Sequence, residues 1–377
     1  MFSHRKIIYI LICLGNITIS FNIAAITAAV PAISLDLHQP DFLVSKIISY
    51  YLIPYGIGAL IYAPLTRYIS YRSVLSFVMA GYAVSSFVCG MGQSLNALLM
   101  ARVAMGITAA GAIPLGLMVI GEFFEKSVRG RLVGGFFSCS FFASLAGVML
   151  GGLMHWRWIF YVPAMLGALM ALSFFIFGKK NLRIKHEAPV NYLHIFNKTS
   201  IRNIFIFIFI LSALYHGVHK WFGVYLDRFY QMDKLTISFF FILAAIGGFI
   251  GQHVGGYLSD KKSRLVSCYV GLVGLGITTM LLAGHYSLTI LGIIFITLSM
   301  FWTIGHNGIS TVLTDFPDED RPLIASLNSS VRFIGGGVGF YVSSFFVKKN
   351  FGLTFFYIGI LMLFIIIMLN RIFKKGN

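Results

Sequence analysis

Twelve stretches of mostly apolar residues follow one another along this chain, and each is long enough to cross a lipid bilayer. A helix needs about 20 apolar residues to span the hydrocarbon core, because it rises only about 1.5 Å per residue. The sequence therefore predicts an all-α polytopic membrane protein with twelve transmembrane helices, numbered here as spans 1 to 12. The predicted spans cover residues 7–34, 42–66, 73–92, 95–121, 131–153, 158–178, 201–226, 235–259, 265–284, 287–314, 322–347 and 351–371.

The chain carries few charged residues, and most of its positive ones fall on one side of the predicted membrane. Charged residues make up 11% of the sequence, whereas soluble domains contain about 25%. With the N-terminus placed inside, 20 of the 29 lysines and arginines lie in cytoplasmic segments and 6 lie outside. This bias predicts a multi-pass protein of the plasma or inner membrane with both termini in the cytoplasm. It also accounts for the net charge of +17, so we expect the lipid bilayer and no nucleic acid as a partner.

Two short turns recur in the second half of the chain at a constant offset. Leu65 ends span 2 and Leu258 ends span 8, which are 193 residues apart; Arg129 and Arg321 follow spans 4 and 10 and are 192 apart. Parallel repeats of this kind are a known transporter design. We therefore expect two pseudo-symmetric six-helix bundles, at residues 1–178 and 201–377, joined by a cytoplasmic linker at 179–200.

The segments after spans 2 and 8 contain related patterns. The first reads Ala63-Pro-Leu-Thr-Arg67-Tyr-Ile-Ser70-Tyr-Arg72, and the second reads Gly255-Gly-Tyr-Leu-Ser-Asp260-Lys-Lys-Ser-Arg264. Both resemble the G-x-x-x-D-R-x-G-R-R pattern that follows span 2 in the Major Facilitator Superfamily. In the first copy, Arg67 stands at the acidic position and Ser70 at the turn glycine, whereas the second copy keeps the acid.

Further segments resemble the same family in the same order along the chain. Arg102 and Gly106 match its span-4 pattern, and the segment before span 6 reads His155-Trp-Arg-Trp, which is similar to its usual Trp-Arg-Trp stretch. The glycines at 147, 151 and 152 match the span-5 pattern of its antiporters without the proline. The set is most similar to the drug:proton antiporter branch. The resemblance implies that spans 1, 2, 4, 5, 7, 8, 10 and 11 line a cavity, while the other four face outward.

The polar residues inside the predicted spans collect in the spans that this resemblance assigns to the cavity. None of the 12 acidic residues lies in the middle of a span, so a buried cation there has no obvious acidic partner. Such a cation needs an anion, carbonyl groups or water. We expect an anionic or strongly polar group of a small-molecule substrate to meet Arg102 and Arg332; the alternative is that each arginine binds carbonyls and packs two spans. The expected cavity residues are Asn22, Arg102, His216, His219, Lys220, His306, Asn307, Asn328 and Arg332.

Proton coupling needs a group that titrates near neutral pH, and the spans offer histidines in place of carboxylates. Histidine has an unperturbed pKa of about 6.5, so His306, His216 and His219 are candidates for carrying protons; the alternative is a helix contact through a hydrogen bond. His216 and His219 have a spacing that suits a metal. No cysteine or acid lies nearby in the sequence to complete a site, so no metal and no cofactor are expected.

Charged residues at the cytoplasmic ends of the spans suggest a gate. If the halves are pseudo-symmetric, Asp260 lies near the start of span 5, where it can meet basic residues or the positive end of that helix. Such a contact would close the cytoplasmic side and break during alternating access; the alternative is a solvated loop charge. The expected gate residues are Asp260, Arg264, Arg67, Arg72, Arg129 and Arg131.

Three classes of function fit the sequence to different degrees. The favoured one is a secondary active transporter, working as a monomer, that moves a small organic solute by alternating access with proton coupling, in the direction of efflux by antiport. An uncoupled facilitator or a symporter of an organic anion is the alternative. A membrane-embedded acyltransferase-like enzyme with His306 as base is a remote third, because no paired nucleophile or acid is present. The chain has no P-loop, so ATP-driven transport is not expected.

Overall fold

The fold is described by a computed structural model that covers residues 4–66, 68–178, 192–313 and 321–369. These residues are almost entirely α-helical, and none of them lies in a β-strand. The prediction of an all-α membrane protein with twelve spans is confirmed. Within the described ranges, twelve helical segments are long and apolar enough to cross a membrane: Arg5–Leu37, Asp41–Tyr62, Tyr71–Met91, Leu95–Phe123, Arg131–Leu153, Trp158–Phe177, Thr199–Tyr230, Lys234–Lys261, Arg264–Leu281, Leu288–Val312, Leu323–Val347 and Phe351–Leu369.

The chain divides into two compact units, Met1–Val190 and Asn191–Asn377. Residues 179–191 of the predicted linker lie outside the described ranges, and its exact bounds stay a prediction. The helices of the first unit are α1 His4–Leu37, α2 Asp41–Val44, α3 Lys46–Leu65, α4 Tyr71–Met91, α5 Leu95–Ala109, α6 Ala112–Phe123, α7 Lys126–Leu153 and α8 Trp158–Phe177. Those of the second unit are α9 Tyr192–Asn197, α10 Thr199–His219, α11 Phe222–Tyr230, α12 Lys234–Lys261, α13 Arg264–Leu281, α14 Leu288–Val312, α15 Arg321–Val347 and α16 Phe351–Phe364.

Spans 4 and 7 are each built from two helices. Span 4 breaks between α5 and α6 at Ala110 and Gly111, and span 7 breaks between α10 and α11 at Lys220 and Trp221. Small residues let neighbouring helices approach closely at the first break; a Cβ on Gly111 would lie 2.7 Å from the Val78 side chain. The second break follows the polar end of α10, so it places polar side chains where the helix is interrupted.

Polar side chains cap the starts of several spans where they emerge from apolar sequence. The side chains of Ser70, Ser94, Ser263 and Asn350 each accept a hydrogen bond from a backbone N–H in the following first turn. Asp233 accepts bonds from the first turn of α12, including the N–H of Thr236 at 2.8 Å. Because hydrogen bonds to the carboxylate favour its charged form, the backbone N–H of Thr236 above all holds the pKa of Asp233 below its usual value. These caps satisfy N–H groups that have no partner within the helix.

Span 1 packs against span 5 through a seam of small and polar residues. The Asn16 amide donates to Phe136 O at 2.8 Å and to Ser140 Oγ at 2.6 Å. The hydroxyl of Ser144 donates to Ser20 O at 3.1 Å. Gly147 lies against the backbone carbonyl of Phe21, with no room for a side chain. The glycine that matches the antiporter pattern in the sequence therefore sets how closely these two helices approach.

Replacing Gly147 by alanine should destabilise the first unit by about 1–3 kcal/mol, the usual cost of overpacking a well-filled contact. The added methyl group would collide with the Phe21 carbonyl, which is backbone and cannot turn away. Thermal unfolding of the purified protein measures the effect. Gly134→Ala on the same helix is the matched control, because a Cβ there meets nothing within 4 Å. Equal unfolding midpoints for the two variants would contradict this account of the seam.

The loop between spans 5 and 6 ties together the ends of spans 1, 3 and 6. Arg157 donates to the Asp36 carboxylate at 2.8 Å and to the carbonyls of Gly90 and Gly92 at 3.1 and 2.8 Å. The Trp156 indole N–H donates to the same carboxylate at 3.1 Å. The Trp-Arg-Trp stretch of the sequence therefore links spans 1, 3 and 6 at one end of the first unit.

Candidate functional site

Arg332 of span 11 forms the centre of a polar cluster inside the second unit. Its Nε donates to Asn328 Oδ1 at 2.7 Å, one helical turn earlier on α15, and its Nη2 donates to Ser310 Oγ of α14 at 3.3 Å. Arg332 is half-buried. Both recorded hydrogen-bond partners are neutral, and no hydrogen bond from Nη1 to a described residue is recorded. Among the described residues, the Nη1 group of Arg332 is therefore the part of the guanidinium that can still donate to a ligand.

His306 shares a hydroxyl group with this arginine. Its Nδ1 lies 3.5 Å from Ser310 Oγ, the same oxygen that receives Arg332 Nη2. Ser310 follows His306 by four residues, so both side chains lie on one face of α14. A hydroxyl can donate one hydrogen bond and accept others. Ser310 therefore connects Arg332 to His306 through one oxygen atom.

An aromatic stack joins span 10 to span 7 beside the cluster. The Trp302 and Tyr215 rings are parallel within 2° and have centroids 3.6 Å apart. Trp302 also approaches the rings of His306 at 5.6 Å and His216 at 6.1 Å. Two of the predicted histidines, one from span 7 and one from span 10, therefore contact the same indole ring.

Span 7 presents a polar stripe to the same region. His216 Nδ1 lies 2.9 Å from Ser212 O, and the His219 ring stacks on Tyr215 with centroids 5.1 Å apart. The buried atoms Ser212 Oγ and His219 Nδ1 have no hydrogen-bond partner among the described residues. Lys220, 5% exposed, lies at the break where α10 ends. Most buried polar side-chain atoms in proteins have a hydrogen-bond partner, so these two atoms make span 7 a candidate for binding polar groups.

Arg102 in the first unit has a different environment. It is 1% exposed, and it donates to Ile47 O at 3.0 Å and to Asn22 Oδ1 at 2.7 Å. The guanidinium carbon lies 4.2 Å from the centre of the Tyr51 ring, a cation–π contact. The Asn22 amide in turn donates to Ile159 O at 3.0 Å. These bonds connect spans 1, 2, 4 and 6, so Arg102 and Asn22 hold four helices of the first unit together. We call this hydrogen-bonded pair the internal tie.

The other predicted site residues of the described chain take no part in the hydrogen bonds of Arg332. Asn307 faces span 8, where its amide lies 3.4 Å from Gln252 O. Among the expected gate residues, Asp260 and Arg131 are exposed, and Arg264 is half-buried at the start of α13. Arg72 lies over the Phe175 ring at 4.8 Å, and Arg129 donates to Phe124 O at 2.7 Å. Arg67 lies outside the described residues.

Sequence reasoning missed Trp302, Tyr215 and Ser310, which connect the predicted residues to one another. Trp302 and Ser310 lie four residues before and four residues after His306. That spacing places all three on one helix face, so it was a signal available in the sequence. Tyr215 had no comparable signal, because its position depends on how α10 packs against α14.

Comparisons with known proteins agree with this fold along most of the chain. The family model described as Major Facilitator Superfamily matches residues 12–340. The uncharacterized MFS-type transporter YceJ of Bacillus subtilis is 23% identical over 374 residues, which cover 92% of this chain and 91% of that protein. Multidrug resistance protein 3 of Bacillus subtilis is 25% identical over 141 residues, 36% of this chain and 28% of that protein. The multidrug export protein EmrB of Haemophilus influenzae is 29% identical over 142 residues, 35% of this chain and 28% of that protein. The matched part spans less than a third of each multidrug relative.

Solved structures support the same conclusion at the level of the fold. The nucleoside transporter NupG superposes with a TM-score of 0.78 at 10% identity, covering 98% of this chain and 100% of that one. A bacterial homologue of the human lysosomal transporter Spinster superposes with a TM-score of 0.77 at 16% identity, covering 100% and 97%. Because the family model matches most of the residues and the twelve spans agree with it, this chain belongs to the Major Facilitator Superfamily and is a multi-pass secondary transporter, not an enzyme.

Proposed function

We propose that this protein is a proton-coupled transporter that exports a small organic solute in exchange for protons. Two relatives with partial matches are named as multidrug resistance and multidrug export proteins, which supports efflux. The excess of basic residues in the assigned cytoplasmic segments supports a plasma or inner membrane protein with both termini in the cytoplasm. The proposed unit of function is the monomer, with the lipid bilayer, the solute and protons as its partners.

The observation that carries this proposal is the cluster of Arg332, Ser310 and His306 in the second unit. Secondary transporters place substrate and coupling-ion sites near the middle of the membrane. An ionisable residue at that depth is a functional candidate by default. In this proposal His306 carries the proton, with His216 and His219 as neighbours, and Arg332 meets the polar group of the solute.

Other predicted residues have supporting roles in this proposal. Asn328 orients the Arg332 guanidinium through the 2.7 Å hydrogen bond. Arg102 and Asn22 hold spans 1, 2 and 4 in place, because their hydrogen bonds connect these spans deep inside the first unit. Lys220 contributes positive charge at the break of span 7. Asp260 with Arg264 in the second unit, and Arg67, Arg72, Arg129 and Arg131 in the first, remain the proposed cytoplasmic gate.

A second candidate is a symporter or an uncoupled facilitator of an organic anion. One observation favours it, since the recorded hydrogen-bond partners of Arg332 are neutral. An arginine in an apolar span without an acidic partner is better stabilised when an anion binds it. The antiporter and the symporter differ in the direction of proton movement relative to the solute, and the facilitator moves the solute without protons.

Flux in proteoliposomes tests the proposal. Purified protein is reconstituted with a panel of radiolabelled organic cations, neutral solutes and anions, and a pH gradient is imposed in either direction. A proton antiporter should accumulate its solute in the acidic compartment, whereas a symporter should accumulate it in the alkaline one. An uncoupled facilitator should only equilibrate. Transport that never responds to the pH gradient would contradict proton coupling, while solute specificity would still be measured.

A further inference from the structure

The cluster that we assign to substrate and proton binding contains one cation and one histidine that both approach a single hydroxyl. Arg332 Nη2 lies 3.3 Å and His306 Nδ1 lies 3.5 Å from Ser310 Oγ. A charge placed at one of these side chains therefore acts on the other over a short distance. In the partly desolvated interior of a protein, such interactions are stronger than in water.

We propose that an anion at Arg332 and a proton on His306 bind cooperatively, so that this triad takes up an organic anion and a proton together. The inference rests on the proposed function, because it uses the same two residues. An anion beside the guanidinium cancels its positive charge, and that charge otherwise opposes a second positive charge on His306. Binding of each ligand therefore favours binding of the other, and linkage requires the two effects to be equal.

Arg332 has the donors that such an anion needs. Nε is engaged by Asn328 and Nη2 by Ser310, while Nη1 has no recorded hydrogen bond to a described residue. The bound anion is therefore expected to accept a hydrogen bond from the Nη1 group of the guanidinium. A compact head group such as a carboxylate or sulfonate fits this geometry, because it accepts charge-assisted hydrogen bonds from a guanidinium.

The surroundings of His306 contain few other charges. Arg332 of α15 approaches the same hydroxyl as His306, and His216 of α10 contacts the same Trp302 ring. The helices α12 and α13 also pack against α14, and Arg264 and Cys268 of α13 lie beside Gly308, two residues from His306. His216 has Lys220 as a further neighbour. The competing site for the proton is therefore His216, which a separate variant can test.

The sign of this linkage has a consequence for transport. A solute that is exchanged for protons must compete with them at the site, whereas an anion that binds together with a proton must travel with it. If the triad works as inferred, organic anions move by symport, and a solute that meets Arg332 and is exchanged for protons is polar and neutral. The linkage thus separates the two candidate functions by solute charge.

Equilibrium binding to the purified full-length protein tests the linkage without any membrane gradient. The probes are chloride, nitrate, methanesulfonate and benzenesulfonate, which stay ionised between pH 5 and 8, so any pH dependence belongs to the protein. At least one should bind about 5- to 150-fold more tightly at the acidic end, the usual range for coupled sites. Benzyltrimethylammonium, a permanent cation, should show no such gain.

Variants assign the effect to the triad. His306→Gln and His306→Asn should bind the anion with little pH dependence, whereas the exposed His285→Gln should keep the dependence. Loss of the dependence in His216→Gln but not in the His306 variants would place the proton on His216 instead. Arg332→Gln should lose anion binding, and Arg332→Lys, which keeps the charge, should retain part of it. The inference is overturned if no probe binds the wild-type protein at any pH, if the wild-type affinity is constant with pH, or if both His306 variants keep the full dependence. In each of those cases the flux driven by a pH gradient can still be measured, so the proposed function is tested independently of this inference.

Discussion

Replacing Arg332 by glutamine is expected to reduce solute flux by about 10- to 100-fold while the protein still folds. The substitution removes the cation of the second unit's polar cluster and leaves Asn328 and Ser310 without its donors. A hydrogen bond to a charged group is worth about 1.5–3 kcal/mol, which corresponds to roughly 10- to 150-fold in affinity. Because Arg332 is only half-buried, its former partners can be solvated, so the cost in stability should be small. Initial rates in proteoliposomes at matched protein content measure the effect.

The control for this variant is Arg228→Gln in the same unit. Arg228 is exposed near the end of α11, so its substitution should leave the flux near the wild-type level. Arg332→Lys separates the effect of the positive charge from that of the guanidinium geometry. Lysine keeps the charge but lacks the planar guanidinium that bonds two partners at once. We expect it to recover part of the lost flux. Wild-type flux in Arg332→Gln would remove Arg332 from the substrate site.

Replacing Arg102 by leucine should act mainly on stability, with a loss of about 2–4 kcal/mol. The change leaves Ile47 O and Asn22 Oδ1 buried without the donors they now have. Each buried acceptor without a partner costs about 1–3 kcal/mol. The cation–π contact with Tyr51 is lost as well. Thermal unfolding and the yield of monodisperse protein measure the effect, and the properly folded fraction should retain its affinity for solute.

Arg102→Lys and Met100→Leu complete this series. The lysine variant keeps the charge but cannot reproduce both hydrogen bonds, so it should fall between wild type and Arg102→Leu in stability. Met100 is exposed at 68% on the same helix, and its substitution should change neither stability nor flux. If Arg102→Leu unfolds at the wild-type temperature but no longer transports, Arg102 belongs to the substrate path instead of the internal tie.

The twelve spans could be predicted from the sequence because the length and apolarity of a membrane helix are set by the bilayer. The breaks within spans 4 and 7 could not be predicted in the same way. Gly111 and Lys220 mark them, but small and polar residues also occur in unbroken spans such as span 5. Whether a span breaks at such a residue depends on the neighbouring helices. At Gly111, the side chains of Val78 and Tyr62 fill the space beside the backbone.

The candidate site was predictable only in its residue types. Arg102 and Arg332 look alike in the sequence, since each is a lone cation in an apolar helix. Their environments differ because Arg102 meets a carbonyl and an amide deep inside the first unit, whereas Arg332 is half-buried and shares a hydroxyl group with a histidine. Such a difference depends on which face of a helix meets which neighbour, and a single sequence does not specify that pairing.

The most direct test of proton coupling through His306 is accumulation of solute against its gradient in proteoliposomes carrying the wild-type protein, His306→Gln or the control His285→Gln. The account predicts that an imposed pH gradient drives accumulation in wild type and His285→Gln. In His306→Gln the solute should only equilibrate, although exchange of labelled for unlabelled solute without a gradient continues. Full gradient-driven accumulation by His306→Gln would contradict the central claim.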